Sequence, residues 1–202
     1  MKRESLIKLT SMAVLAALSV VAVVALHFPL LPAAPEIEYD AADVFILLAG
    51  LFFGWVPGLA VLVIAAVVQA MTVSALSGPI GLVMHLVATG ALVLVACGLH
   101  DFATRRTKAK HERLATEKAS TGKGWLPLCL LAGCLAMTAV MIPMNLLLMP
   151  WFRGVPVEAV QNMIVPVVLP FNLLKSGINS ALACALYFAL TPILRKISPA
   201  NG

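Results

Sequence analysis

Charge is what this sequence has least of. Only 11% of its 202 residues are Asp, Glu, Lys or Arg, while 61% are hydrophobic. Soluble domains carry about 25% charged residues, so a chain with water on every side is excluded. Carboxylates are scarcer still within the apolar runs: Asp40 and Asp43 stand at the mouth of one run, and none lies mid-run. A Ser-His-Asp arrangement inside a membrane needs such an acid, so no catalytic residues are assigned and the chain is not read as an enzyme. Cys97, Cys129, Cys134 and Cys184 lie in apolar segments, without CxxC spacing or a histidine cluster. They read as small core residues, and no metal site is expected. His85 has no second ligand at i+4 and reads as a satisfied packing histidine. The segment TGKG at 121–124 lacks the earlier glycine of a phosphate loop, because position 117 is Glu. Any ATP-driven work therefore falls to a partner.

Long apolar runs dominate the rest. Six spans are expected, at about 9–28, 42–54, 59–76, 80–99, 125–149 and 166–194, in one membrane domain. The breaks fall at FPLLPAAP (28–35), GWVPG (54–58), SGP (77–79) and PWFRGVP (150–156). The second span is too short to cross alone and is expected to tilt, extend or pack within the bundle. The basic N-terminus followed by Leu9–Leu26 resembles a signal peptide, but the run exceeds the usual apolar core and is read as a retained helix.

Of the 14 Lys and Arg, all but Arg153 and Lys175 fall in the N-terminus, the loop 100–124 and the C-terminus. Six spans place these three segments on one side, which is then cytoplasmic, with both termini inside. The same distribution explains the net charge of +5 without nucleic acid as a partner. The loop 100–124 reads as a solvated connector.

The oddest stretch is LPFNLLKSGINSALACALYFAL, residues 169–190. Asn172, Lys175, Ser176 and Asn179 follow i, i+3, i+4, i+7 and share one face of an apolar helix. With Pro166 and Pro170 marking the start, Lys175 is expected about 14 Å along the helix, in the outer half of the membrane. Asn145, five residues before Pro150, falls about 7–8 Å from the same boundary. Amides and hydroxyls in spans often serve as interhelical glue, the reading preferred for Ser176 and Asn179. A lone ammonium needs acceptors, and with no carboxylate mid-span Lys175 is expected either to meet a ligand or to snorkel outward. Asp40 reads as a helix N-cap. On the first span, Ala13 and Ala17 form a small-xxx-small pair, for packing within the bundle or docking to another membrane subunit.

In order along the chain, AVLAA (13–17), EYDAADVFILLAGLFFGWVPGLAV (38–61), NLLLMPWF (145–152) and PFNLLKSGINS (170–180) resemble the S components of energy-coupling factor (ECF) vitamin transporters, of the riboflavin-specific type. The resemblance implies an all-α integral membrane protein with six transmembrane helices in the S-component fold, seated in the plasma membrane. It implies riboflavin as a transported ligand rather than a cofactor, captured from outside. As partners it implies a transmembrane coupling subunit and two cytoplasmic ATPase subunits. By motif match, Asn145, Asn172 and Lys175 carry over as substrate-binding residues, and Ala13 and Ala17 as docking residues. In GLVMHLVATG (81–90) the pattern departs, with Leu82 and His85 where an acid and an asparagine are expected. That departure keeps open an S component for another small heterocyclic vitamin or flavin relative. A non-transport membrane subunit is the reading from a different class. The loop 29–41, with Pro29, Pro32 and Pro35, is expected to close over the ligand.

Overall fold

The computed structural model describes residues 3–32, 38–72, 78–114 and 122–197. Its rods are helices: α1 (Arg3–Ala25), α2 (Ala42–Phe53), α3 (Trp55–Met71), α4 (Gly78–Leu114), α5 (Leu126–Arg153), α6 (Val157–Met163) and α7 (Leu169–Ile197). Residues Ile164–Val168 form a π-helical stretch that carries α6 into α7. Among the described residues, four stretches are long and apolar enough to cross a bilayer: Ser5–Ala25, Pro79–Thr107, Leu126–Arg153 and Val157–Ile193. The apolar helices α2 and α3 are shorter.

Helix α2 is the centre of the bundle. It spans 12 residues, about 18 Å, well short of a bilayer core. It packs against α1, α3, α4 and α7, and Ile46, Leu47, Leu48 and Ala49 are essentially inaccessible. Small residues permit this closeness. A Cβ added at Gly58 would sit 2.8 Å from the Gly50 Cα, and one at Gly133 would sit 2.8 Å from the Ala96 Cβ. Without a hydrophobic drive between helices in lipid, such close backbone approach adds the van der Waals contact that helps hold them together. Gly54, with φ of 102°, separates α2 from α3 in a conformation that side chains rarely adopt.

Three expectations change. The connector predicted over 100–124 is helical as far as Leu114, because α4 runs for 37 residues. No Gly or Pro interrupts residues 99–121, and Ala, Lys, Arg and Glu there favour helix. At about 55 Å, α4 is longer than a bilayer's hydrocarbon core is thick. The sixth span was expected from 166, but helix begins at Val157, so Pro166 and Pro170 do not mark its start. Pro166 lies within the π-helical stretch, where a widened turn absorbs its missing N–H.

The third change is a short antiparallel ladder. Strand β1 (His27–Pro29) pairs with β2 (Glu38–Asp40), with His27 opposite Asp40 and Phe28 opposite Tyr39. The Phe28 and Tyr39 rings meet at 5.1 Å between centroids. The ends of the expected lid, 29–41, are thus tied together, and residues 33–37 at its tip lie outside the described residues. So do residues 73–76 of the third expected span and Thr121 of the TGKG segment.

Candidate functional site

The polar stripe on α7 faces inward. Asn172, Lys175, Ser176 and Asn179 are all buried, while Leu173, Leu174 and Ile178 on the other side of the helix are exposed. The apolar face suits lipid, and the polar face must find its partners within the bundle.

Lys175 finds a carboxylate. Its Nζ donates to Asp40 Oδ2 at 2.7 Å, and both side chains are almost fully buried. The other oxygen, Oδ1, accepts from the Ala42 backbone N–H at 3.1 Å, but the N-cap of α2 is Ala41, not Asp40 as expected, because Asp40 ends β2. No such carboxylate was expected within reach of Lys175. Asp40 lies in β2, outside every apolar run, and reaches α7 only because the β1–β2 ladder turns the chain back over the bundle. Burial alone would raise the Asp40 carboxyl, but the Lys175 ammonium, with smaller contributions from His85 and the hydrogen bonds, holds it below its ordinary value.

Asn179 is the second junction. Tyr39 donates its hydroxyl to Asn179 Oδ1 at 2.6 Å. The Asn179 amide donates to the Asp40 carbonyl at 3.1 Å and to Asp43 Oδ2 at 3.4 Å. Asp43 Oδ1 accepts from Thr89 Oγ1 at 2.7 Å, which adds α4 to the set. A buried network with every member satisfied fixes one arrangement, and here it fixes β2, α2, α4 and α7. Asn179 makes the interhelical bonds expected of glue. Ser176 instead bonds back to the Asn172 carbonyl at 2.6 Å.

The remaining amides are less committed. Asn145 donates to the Met141 carbonyl at 2.7 Å and Asn172 to the Val168 carbonyl at 2.8 Å, each four residues back on its own helix. Both are buried, and each amide has a second N–H and a carbonyl oxygen for another partner. Among the described residues no hydrogen bond links Asn145 to the Lys175 cluster, although α5 packs against α7. His85 lies one turn before Thr89 on α4, and its buried Nε2 has no hydrogen-bond partner among the described residues. The expected satisfied histidine is thus unsatisfied. Nothing in the sequence marks this, because satisfaction depends on partners from other elements.

This cluster and the basic end of α4 occupy opposite ends of the molecule. Thr89, which holds Asp43, is separated from Arg105 by about 24 Å of helix. On α1, Ala13 and Ala17 are exposed, beside exposed Val14, Leu18 and Val21, whereas Ala16 is buried. The small-residue pair is therefore not consumed by packing within the bundle.

Comparison with known proteins bears on this arrangement. The model of the family described as "ECF transporter, substrate-specific component" matches residues 7–187. The riboflavin transporter FmnP of Bacillus subtilis (strain 168) is 28% identical over 180 residues, covering 85% of each chain. A solved structure of the S component of a bacterial ECF transporter superposes with a TM-score of 0.66 at 22% identity. That superposition covers 93% of this chain and 97% of the other.

Proposed function

Because this chain belongs to the ECF transporter substrate-specific components, we propose that it captures riboflavin from outside the cell for ATP-driven uptake. Its family and fold are those of transport components that bind a substrate, not of enzymes, and such components work without a cofactor. The observation that carries the proposal is the buried polar face of α7, with Asn172 and Lys175 on it, and Asn145 on the neighbouring helix α5. The similarity to a riboflavin transporter supplies the ligand.

The chemistry fits. Riboflavin is uncharged, with a flat apolar-faced ring system, edge carbonyls and a hydroxylated tail. A pocket for it is mostly apolar with a few placed polar groups. The free N–H and carbonyl groups of Asn145 and Asn172 would meet ring edges and hydroxyls, and the Lys175 ammonium would donate to a carbonyl. Lys175 has three donor hydrogens, of which Asp40 takes one, so the ion pair positions the ammonium without exhausting it.

Reading six rods across the membrane, with the short α2 and α3 counted as spans within the bundle and α6 with α7 as one, assigns the hairpin and the polar cluster to the outside. The basic end of α4 and both termini then lie inside. In this reading Ala13 and Ala17 on the exposed face of α1 dock on a transmembrane coupling subunit, which works with two cytoplasmic ATPase subunits. Purified protein is expected to carry a flavin visible spectrum, or to acquire one on adding riboflavin, with the ligand confirmed by mass spectrometry. A different heterocycle released on denaturation would reassign the substrate and support the alternative opened by Leu82 and His85. A colourless protein that takes up no flavin would remove riboflavin altogether.

A further inference from the structure

At the opposite end from the polar cluster, α4 and α5 enclose a groove of about 420 Å³. Leu99, Phe102 and Arg106 line it from α4, and Trp125 and Leu128 from the start of α5, with Cys129 behind them. Its position is set by the membrane-spanning stretches themselves, because one ends at Thr107 and the next begins at Leu126. In the orientation proposed above, the groove lies toward the cytoplasmic end of both stretches, near where hydrocarbon gives way to water.

Its chemistry is split in the same direction. Leu99, Phe102, Trp125 and Leu128 are exposed, so the slot is apolar and open. Arg106 lines it one helical turn beyond Phe102, with the guanidinium 4.4 Å from the centroid of the Phe102 ring. That contact holds a cation over the slot. Arg105 beside it is exposed, and among the described residues no acid lines the groove. The acid nearest in sequence, Asp101, approaches Gly54 at the α2–α3 junction.

We propose that this groove binds one anionic phospholipid. An acyl chain lies along Leu99 and Leu128, the phosphate meets Arg106, and Trp125 stands at headgroup level, where indoles concentrate. A protein helix would need no cation beside an apolar slot, whereas a phospholipid presents an anion and a hydrocarbon chain in that order. The inference rests on the orientation proposed above, which turns this end toward the negatively charged cytoplasmic leaflet. It does not depend on which vitamin is bound.

The test is native mass spectrometry of the full chain purified in detergent, titrated with phosphatidylglycerol and phosphatidylcholine of identical acyl chains. One phosphatidylglycerol is expected to be retained over phosphatidylcholine by about fivefold, the ratio for one basic residue near the surface. Arg106→Gln should bring that ratio near unity, and Leu128→Trp, which fills the slot, should reduce retention of phosphatidylglycerol. Circular dichroism would confirm that both variants remain folded. Equal retention of the two lipids, or unchanged preference in Arg106→Gln, would overturn the proposal. So would a variant that keeps its lipid preference but no longer assembles with the coupling subunit, which would assign the groove to a protein. A chain that binds no riboflavin yet shows the Arg106-dependent preference supports the lipid site and faults only the substrate reading.

Discussion

Helices α1 and α7 solve opposite problems with the same lipid around them. In α7 the unusual residues are polar and turn inward, where Asp40 and, through Asn179, Tyr39 and Asp43 receive them. In α1 the unusual residues are small and turn outward, with Ala13 and Ala17 exposed. Only 22% of the α1 spanning window is buried, against 28% in the α6–α7 stretch and 44% in α4 and α5, so of these four stretches α1 is the least committed to the bundle. Polar groups facing in provide places to hold a small molecule. Small residues facing out allow another helix to come close. The account therefore separates capture from coupling, and substitutions should separate them too.

The largest expected effect tests that separation. Ala17→Trp puts a bulky ring on the exposed face of α1, so uptake of labelled riboflavin by cells should fall to background while the purified protein binds riboflavin normally. Loss of both together would merge the two regions into one. Next is the ion pair. Lys175→Ala leaves a buried Asp40 carboxylate without its partner, at a cost of about 3–5 kcal/mol, and should lower the thermal midpoint sharply. Adding Asp40→Asn should restore much of that midpoint, because the uncompensated charge is gone while the amide oxygen can still accept from Ala42. If the double variant melts no higher than the single one, the pair is not what holds β2 to α7.

A smaller effect is expected at Asn179→Ala. Tyr39 and Asp43 each lose a partner, at about 1–3 kcal/mol for a buried group left unsatisfied, and the β1–β2 hairpin should gain hydrogen exchange ahead of α1. Exchange rising equally in both would mean that Asn179 has no special hold on the hairpin. Smallest of all is Ser176→Ala. Among the described residues its hydroxyl bonds within its own helix, so stability should move by no more than about 0.5 kcal/mol. A large loss in that variant would point to a contact beyond α7.

How much of this was legible in the sequence follows from the range of the forces involved. The stripe of Asn172, Lys175, Ser176 and Asn179 was legible because helical period is local, and so was the apolar character of the rods. The partners of the stripe were not. Asp40 lies 135 positions from Lys175, and periodicity names a face without naming what meets it. Asn179 was read as glue from its residue type, which matches its bonds but gives no hint that it joins β2 and α2 to α7. The extension of α4 to Leu114 is not legible from charge, because a Lys-rich stretch reads as a solvated connector although its propensities favour helix. Proline misled in the other direction at Pro166, where a π-helical stretch lets the helix pass through.

The central claim is that the inward face of α7 holds the vitamin, and one measurement addresses it directly. Riboflavin fluorescence is titrated with the purified protein and with the Asp40→Asn/Lys175→Ala double variant, which removes the ammonium without stranding a charge. The account predicts saturable quenching by the parent protein and at least about tenfold weaker binding by the folded double variant, the loss of one charge-assisted hydrogen bond. Equal affinities in the two proteins would contradict it.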